Sequence, residues 1–289
     1  MPVSDTIFEV QGMRLSAKST SPEKGMPLAT VVALPGGGYT SEYWHHRHCP
    51  SASLLTIGAD LGYRVIALDR PGYGASARPD GGGVVLDDQV ALIGELIGQL
   101  AAGDRAGKGV FLIGHSMGGI LSLMVAAQSG FENILGVDVS GVPRTFSERL
   151  ANSMAAVIRG EPNAPEATPA PILFYGPTGT YPAQLADQID PAAAPCPLTE
   201  LEDSYRWPGQ FEQVAGKITV PVQYTLGEHE TVTKCDLATL NETGRLFGAS
   251  SRVAVYLQPG AGHNVSLHHV GRAYHLRALA FFDEILARG

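Results

Sequence analysis

The stretch Val110-Phe111-Leu112-Ile113-Gly114-His115-Ser116-Met117-Gly118-Gly119-Ile120-Leu121 decides the fold. Its first four residues form an apolar run of the length expected for a buried parallel strand. From Met117 to Ala127 the composition and length are helical. Ser116 therefore stands at a tight strand-to-helix turn. Such a turn strains the backbone, and the small residues Gly114 and Gly118 relieve the crowding around it. The turn lifts the hydroxyl into a cleft and brings the Met117 N–H to a helix N-terminus, where it can stabilise a developing oxyanion. The five-residue motif alone is a weak signal in a chain with 35 glycines, so its surroundings must support it.

Outward from this turn, strands and helices alternate. Residues 7–10 and 13–17 read as a hairpin about Gly12, followed by a polar loop over 19–24. A buried strand over 29–34 ends at Pro35-Gly36-Gly37-Gly38-Tyr39. Another over 64–68 is closed by Asp69-Arg70-Pro71-Gly72-Tyr73-Gly74. Residues 86–101 have helical spacing, with Gly103 as a stop. Further strands read over 134–139, 218–226 and 252–257, and a closing helix over 265–287. This alternation predicts an α/β fold with a mainly parallel sheet covered on both faces. The rhythm breaks over 141–216, a stretch rich in Pro and Ala with helical pieces at 146–158 and near 184–189. It carries Phe174, Tyr175, Tyr181, Tyr205, Trp207 and Phe211. A long irregular span inside a compact domain is usually functional. The expectation is a cap over 141–216, inserted between core halves 1–140 and 217–289.

Composition excludes several classes. With 289 residues, 44% apolar and 17% charged, the chain can bury a large core and reads as globular. A net charge of -8, with no Lys/Arg cluster, argues against nucleic acid as a partner. No apolar run approaches the roughly 18 residues of a membrane span. The N-terminus lacks the pattern of a secretory signal. Cys49, Cys196 and Cys235 are odd in number and widely spaced, which suits reduced thiols and a cytoplasmic location.

Over nearly its whole length the chain resembles the α/β-hydrolase superfamily. The residues that carry the resemblance are Pro35-Gly36-Gly37-Gly38, Asp69 to Ser76, Gly114-His115-Ser116-Met117-Gly118-Gly119, Leu226-Gly227-Glu228-His229-Glu230 and Gly260-Ala261-Gly262-His263. Serine, acid and histidine follow in the chain order of that superfamily. The resemblance implies an eight-stranded, mostly parallel sheet flanked by helices, with a cap after the sixth strand. It also implies a triad of Ser116, Glu230 and His263. Glu230 stands where relatives usually place Asp. Asp138, near the end of the sixth strand, and Glu228 are the alternatives for the acid. Relatives often carry His-Gly at Pro35-Gly36 and donate to the oxyanion with the next amide, which points to Gly37 beside Met117, with Gly38 also possible. Gly38, Tyr39, Trp44, His115, Tyr181 and Trp207 are candidates for substrate contact. Core packing is the alternative for Tyr39, Tyr43 and Trp44, and cap packing for Tyr181 and Trp207.

These residues lead to the expectation of a serine hydrolase that cleaves an ester, lactone or thioester of a mainly apolar small molecule through an acyl-enzyme. Carbon–carbon bond hydrolysis, a lyase reaction and cofactor-free perhydrolysis use the same triad. A receptor without catalysis is the rival of another class. Epoxide hydrolases and haloalkane dehalogenases use an Asp nucleophile, which Ser116 excludes by type. No cofactor is implied. His45, His46 and His48 are close in sequence, but their spacing has no recognised metal geometry. His268, His269 and His275 read as a solvated or hydrogen-bonded face of the last helix. The oligomeric state is left open.

Overall fold

In the strands beside Ser116, successive side chains point to opposite faces of one sheet. Val32, Leu34, Ile66, Leu68, Val110 and Leu112 pack on one face. Val31, Ala33, Val65, Ala67, Phe111 and Ile113 pack on the other. Both faces are buried, which is why these runs are apolar throughout rather than alternating. The computed structural model describes residues 2–45, 49–76, 83–103, 105–128, 130, 133–161, 174–187 and 192–288.

The strands are β1 (Ser4–Val10), β2 (Met13–Thr20), β3 (Thr30–Leu34), β4 (Arg64–Leu68), β5 (Val110–His115), β6 (Ile134–Ser140), β7 (Val222–Gly227) and β8 (Val253–Gln258). They form one eight-stranded sheet in the order β1-β2-β4-β3-β5-β6-β7-β8. The β1–β2 and β2–β4 pairs are antiparallel. The remaining neighbours are parallel. On one face lie α1 (Leu54–Asp60) and the closing helix. On the other lie α2 (Leu86–Ala102) and α3 (Met117–Ala126). The insertion after β6 holds α4 (Glu148–Ile158), α5 (Gln184–Asp187), α6 (Leu198–Arg206) and α7 (Phe211–Ala215). The chain ends with α8 (Leu237–Arg245) and α9 (Gly271–Leu286).

Several boundaries differ from the sequence expectation: β1 begins at Ser4 and β2 runs to Thr20, and three others have a cause in the contacts. β7 begins at Val222, not at 218, because Pro221 has no N–H for the ladder; the first ladder bond is Val222 N to Arg252 O, 2.8 Å. The first insertion helix begins at Glu148 rather than 146, after Ser147 N has bonded to Val232 O at 2.7 Å. The closing helix does not run from 265. A short 3-10 turn, Val265–Leu267, comes first, and His268 is then extended. The His268 ring accepts from Gly262 N at 3.0 Å, and its neighbour His269 donates from its backbone to Thr180 O at 3.0 Å. These bonds hold the chain away from helical geometry until Gly271.

The strand order fixes where a site can form. From β3 the chain moves to β4 on one side, whereas from β5 it moves to β6 on the other. The loops leaving β3 and β5 therefore diverge, and a crevice opens at the carboxyl ends of these two strands. The glycine loop 35–38 and Ser116 follow those two ends.

Candidate active site

Ser116 follows β5 with φ 50° and ψ −117°, outside the regions open to most L-residues. Such a conformation costs on the order of 1–3 kcal/mol and persists only when its surroundings enforce it. Here Ser116 N donates to Ser140 O at 2.8 Å, and Ile120 N donates to Ser116 O at 2.9 Å. Close packing does the rest. A Cβ on Gly118 would run into the carbonyl oxygens of Leu34 and Pro35, and one on Gly114 into Ser122 Oγ and Gly118 O. The Met117 amide is the first of α3 and has no partner within the helix. Ser116 Oγ makes no hydrogen bond among the described residues; catalytic hydrogen bonds are often open before a substrate binds.

The loop after β3 lies against this turn. A Cβ on Gly36 would be 3.3 Å from Ser116 Cβ, and one on Gly37 3.1 Å from Met117 Cε. Gly37 N donates to nothing among the described residues. Gly38 N is already engaged, donating to the Tyr73 hydroxyl at 3.1 Å. Of the three candidate amides Gly37, Gly38 and Met117, those of Gly37 and Met117 donate to nothing among the described residues.

His263 and Glu230 are brought together from the loops after β8 and β7. His263 Nδ1 and Glu230 Oε2 are 2.8 Å apart, with side chains 2% and 0% exposed. The other carboxylate oxygen accepts from the Thr231 and Val232 amides at 2.9 and 2.8 Å. The carboxylate is therefore satisfied on both sides without solvent, and its orientation is fixed. The added methylene of Glu is absorbed by the carboxylate reaching back to the amides that follow it.

The other two candidates for the acid lie elsewhere. Asp138 is fully buried within β6, accepting from Tyr274 Oη and Gln223 Nε2, both at 2.6 Å. Burial raises its pKa to about 6, against the opposing pull of those bonds and of Arg277. Glu228 is exposed and accepts from Gly260 N at 2.9 Å.

His115 is buried beside the base, its ring centroid 4.7 Å from that of His263 and stacked at 4.7 Å on Tyr43. Its Nε2 faces Asn264 Oδ1 at 3.1 Å, and Asn264 Nδ2 donates to Tyr39 Oη at 2.8 Å. That order of donors puts the His115 proton on Nε2 and leaves Nδ1 to accept from Ser140 Oγ at 3.2 Å. Burial, with the His263 ring nearby, holds the His115 pKa well below the ordinary histidine value. It stays neutral and ties the Ser116 turn to the loop that carries His263.

The remaining candidates divide. Tyr39 borders the site through Asn264. Trp44 is wholly buried, edge-on to Tyr43 and near His275. Tyr181 is buried against Tyr175 and His268. Trp207 is 1% exposed, packs edge-on to Phe211 and donates from Nε1 to Pro143 O at 2.9 Å. The recorded contacts of Trp44, Tyr181 and Trp207 do not reach Ser116. Phe174 does come close to His263, its ring 5.6 Å away and its carbonyl accepting from Asn264 N at 3.0 Å. A cleft of about 570 Å³ lined by Gly176, Pro177, Thr178, His229, Glu230 and Thr231 borders Glu230 rather than Ser116.

His45 Nδ1 lies 3.0 Å from Ser53 Oγ. His46 and His48 are outside the described residues. Among the described residues no group of His, Cys, Asp or Glu side chains is arranged to hold a metal ion. No helix there is long and apolar enough to cross a membrane. His268 and His275 are buried and hydrogen-bonded, the latter between Ala52 O and Ser266 Oγ at 2.7 and 2.9 Å. His269 is exposed.

The sequence reading gave no role to Arg70, Tyr73, Gln89, Glu200 or Asn264. Arg70 is a signal in retrospect, a charged residue at the buried end of an apolar strand. Glu200 carried none, because only the folded insertion brings it to the loop after β3.

Comparison with known proteins bears on the fold. Residues 31–274 match the family model described as the Alpha/beta hydrolase family. The chain is 26% identical over 140 residues to mouse (Mus musculus) protein phosphatase methylesterase 1, a match covering 48% of this chain and 34% of that protein. It thus spans about a third of the curated relative's length. A soluble variant of monoglyceride lipase from Saccharomyces cerevisiae superposes with a TM-score of 0.75 at 17% identity, covering 99% of this chain and 96% of the lipase. The enol-lactonase from Burkholderia xenovorans LB400 superposes with a TM-score of 0.69 at 17% identity, covering 96% of this chain and 100% of that one. At such identities these structures speak for the fold. With the family model spanning most of the sequence and the strand order seen here, the chain belongs to the α/β-hydrolase family.

Proposed function

We propose that this protein is a serine hydrolase that cleaves an ester, lactone or thioester of a mainly apolar small molecule through an acyl-enzyme. The observation that carries the reading is the buried 2.8 Å contact between Glu230 and His263, on loops beside a serine held at φ 50°. In this reading Ser116 Oγ attacks the carbonyl carbon while His263 Nε2 takes its proton. Glu230 keeps the imidazole proton on Nδ1 and stabilises the imidazolium that forms. The oxygen of the tetrahedral intermediate sits between the Gly37 and Met117 amides, which need no reorganisation as charge develops. Collapse expels the alcohol or thiol, protonated by His263. Water, deprotonated by the same imidazole, then releases the acid.

A neutral, apolar substrate is favoured by what borders Ser116. Met117, Tyr39 and Phe174 supply apolar surface. The nearby guanidinium of Arg70 is already paired with Glu200 and is not offered to a substrate carboxylate. The insertion after β6 is read as the cap that selects the substrate. The methylesterase activity named in the relatives fits this chemistry.

The test is labelling by a fluorophosphonate together with turnover of a panel of chromogenic esters and a lactone. Wild-type protein is expected to be labelled at Ser116 and to turn over at least one member. Ser116→Ala is expected to abolish labelling and lower kcat by about three to six orders of magnitude with an unchanged Tm. Activity within tenfold of wild type would remove Ser116 from the mechanism. Labelling without ester or lactone turnover would redirect the search to carbon–carbon bonds.

A further inference from the structure

We propose that Glu200, on helix α6 of the insertion, is a positioning residue of the oxyanion loop, acting through Arg70 and Tyr73. The proposal rests on the serine-hydrolase reading, in which the Gly37 amide receives the oxyanion.

Arg70 and Glu200 both have fully buried side chains. Such a pair is costly unless its remaining donors and acceptors are met. Here they are met by the loop after β3. Arg70 Nη1 pairs with Glu200 Oε1. Its Nε donates to Pro35 O at 3.1 Å and its Nη2 to Gly36 O at 3.0 Å. Glu200 Oε1 also accepts from Gln89 Nε2 at 2.7 Å, and Oε2 accepts from the Tyr73 hydroxyl at 2.7 Å. That hydroxyl in turn accepts from Gly38 N at 3.1 Å. The side chains that grip the loop on both sides of Gly37 therefore converge on one carboxylate.

The consequence for catalysis follows from peptide geometry. Gly36 C=O and Gly37 N–H belong to one planar trans peptide, so they point in opposite directions. When Arg70 holds the carbonyl toward itself, the N–H must face the crevice. A flip of this peptide would put a carbonyl oxygen where the oxyanion should sit. Glu200 fixes the guanidinium that prevents the flip. A second observation joins the insertion to the same loop. Ala194 N donates to Gly38 O at 2.7 Å and Thr40 N to Ala192 O at 2.8 Å. The insertion and the oxyanion loop are in this sense one unit.

The test compares Glu200→Gln, the double variant Arg70→Met/Glu200→Leu and Tyr73→Phe with wild type. Three quantities are read: the rate of fluorophosphonate labelling at Ser116, inhibition by phenylboronic acid, and Tm. The phosphonyl oxygen and the tetrahedral boronate both use the oxyanion site, and neither needs the natural substrate. The double variant removes both buried charges, so it is expected to stay folded near the wild-type Tm. It leaves Gly36 O unheld, and labelling and boronate binding are expected to fall about 10- to 100-fold. Glu200→Gln is expected to lose both rate and Tm. Tyr73→Phe is expected to slow labelling while keeping the ion pair. Should Glu200→Gln fail to fold, the other two variants decide. A double variant that labels within threefold of wild type would overturn the role of Glu200. A wild-type protein not labelled at Ser116 would overturn the serine-hydrolase reading itself, and this proposal with it.

Discussion

At the level of single residues, the acid shows how far sequence reaches. The resemblance implied Glu230, but Asp138 and Glu228 remained open because all three are carboxylates near strand ends. Burial and partners separate them. Glu230 meets His263 and two backbone amides. Asp138 spends both oxygens on Tyr274 and Gln223, and Glu228 lies in solvent holding Gly260 N. Substitution should follow this division. Glu230→Gln keeps the shape but removes the charge that, in the proposed mechanism, stabilises imidazolium, and its amide can present the wrong group to Nδ1. It is expected to lower kcat about 10²- to 10⁴-fold. Glu228→Gln and Asp138→Asn are expected to stay within threefold of wild type. Steady-state kinetics on the same ester would check all three, and a crippled Asp138→Asn would move the acid to β6.

Among the elements, the sheet and the place of the insertion were legible, and the roles of the insertion's side chains were not. Strands buried on both faces announce themselves as apolar runs, and the glycines beside Ser116 mark the turn that follows β5. The insertion has short helices, and its aromatic side chains look alike in sequence whether they line a pocket or pack a core. The fold divides them by partner. Trp207 is locked between Phe211 and the Pro143 carbonyl, whereas the half-buried Phe174 lies beside the His263 ring. Trp207→Ala is expected to cost about 3–5 kcal/mol of stability through the cavity it leaves, with little change in the ratio of kcat/KM for a short and a bulky ester. Phe174→Ala is expected to change that ratio severalfold with a small loss of Tm. Thermal melts beside kinetics on acetate and bulky acyl esters would check the pair. A shifted ratio in Trp207→Ala with an unshifted one in Phe174→Ala would reverse the assignment.

Over the whole molecule, the buried titratable groups couple the fold to pH in opposing directions, and none of this was visible in sequence because it depends on tertiary burial. Burial raises the pKa of Asp138 to about 6, so the folded state binds its proton more tightly than the unfolded chain does. This group therefore favours the folded state at low pH, and the benefit fades as pH rises from about 4 to about 6. Burial lowers the pKa of His268 to about 4, aided by His229 and His269 and resisted by its bond to Thr180 O. Here the unfolded chain binds the proton more tightly, and stability is lost as pH falls from the ordinary histidine range toward 4. His115 acts in the same sense as His268. Each proton difference is worth on the order of 1 kcal/mol per pH unit, so Asp138 offsets part of what the two histidines lose on acidification. Asp138→Asn removes the offset and keeps the shape, since its oxygen can still accept from Tyr274 and Gln223 can turn its amide to face the new NH₂. The variant is expected to lose stability more steeply than wild type between pH 6 and pH 4. Urea denaturation at half-unit steps of pH would measure both slopes. Equal slopes would mean that Asp138 does not titrate within this window.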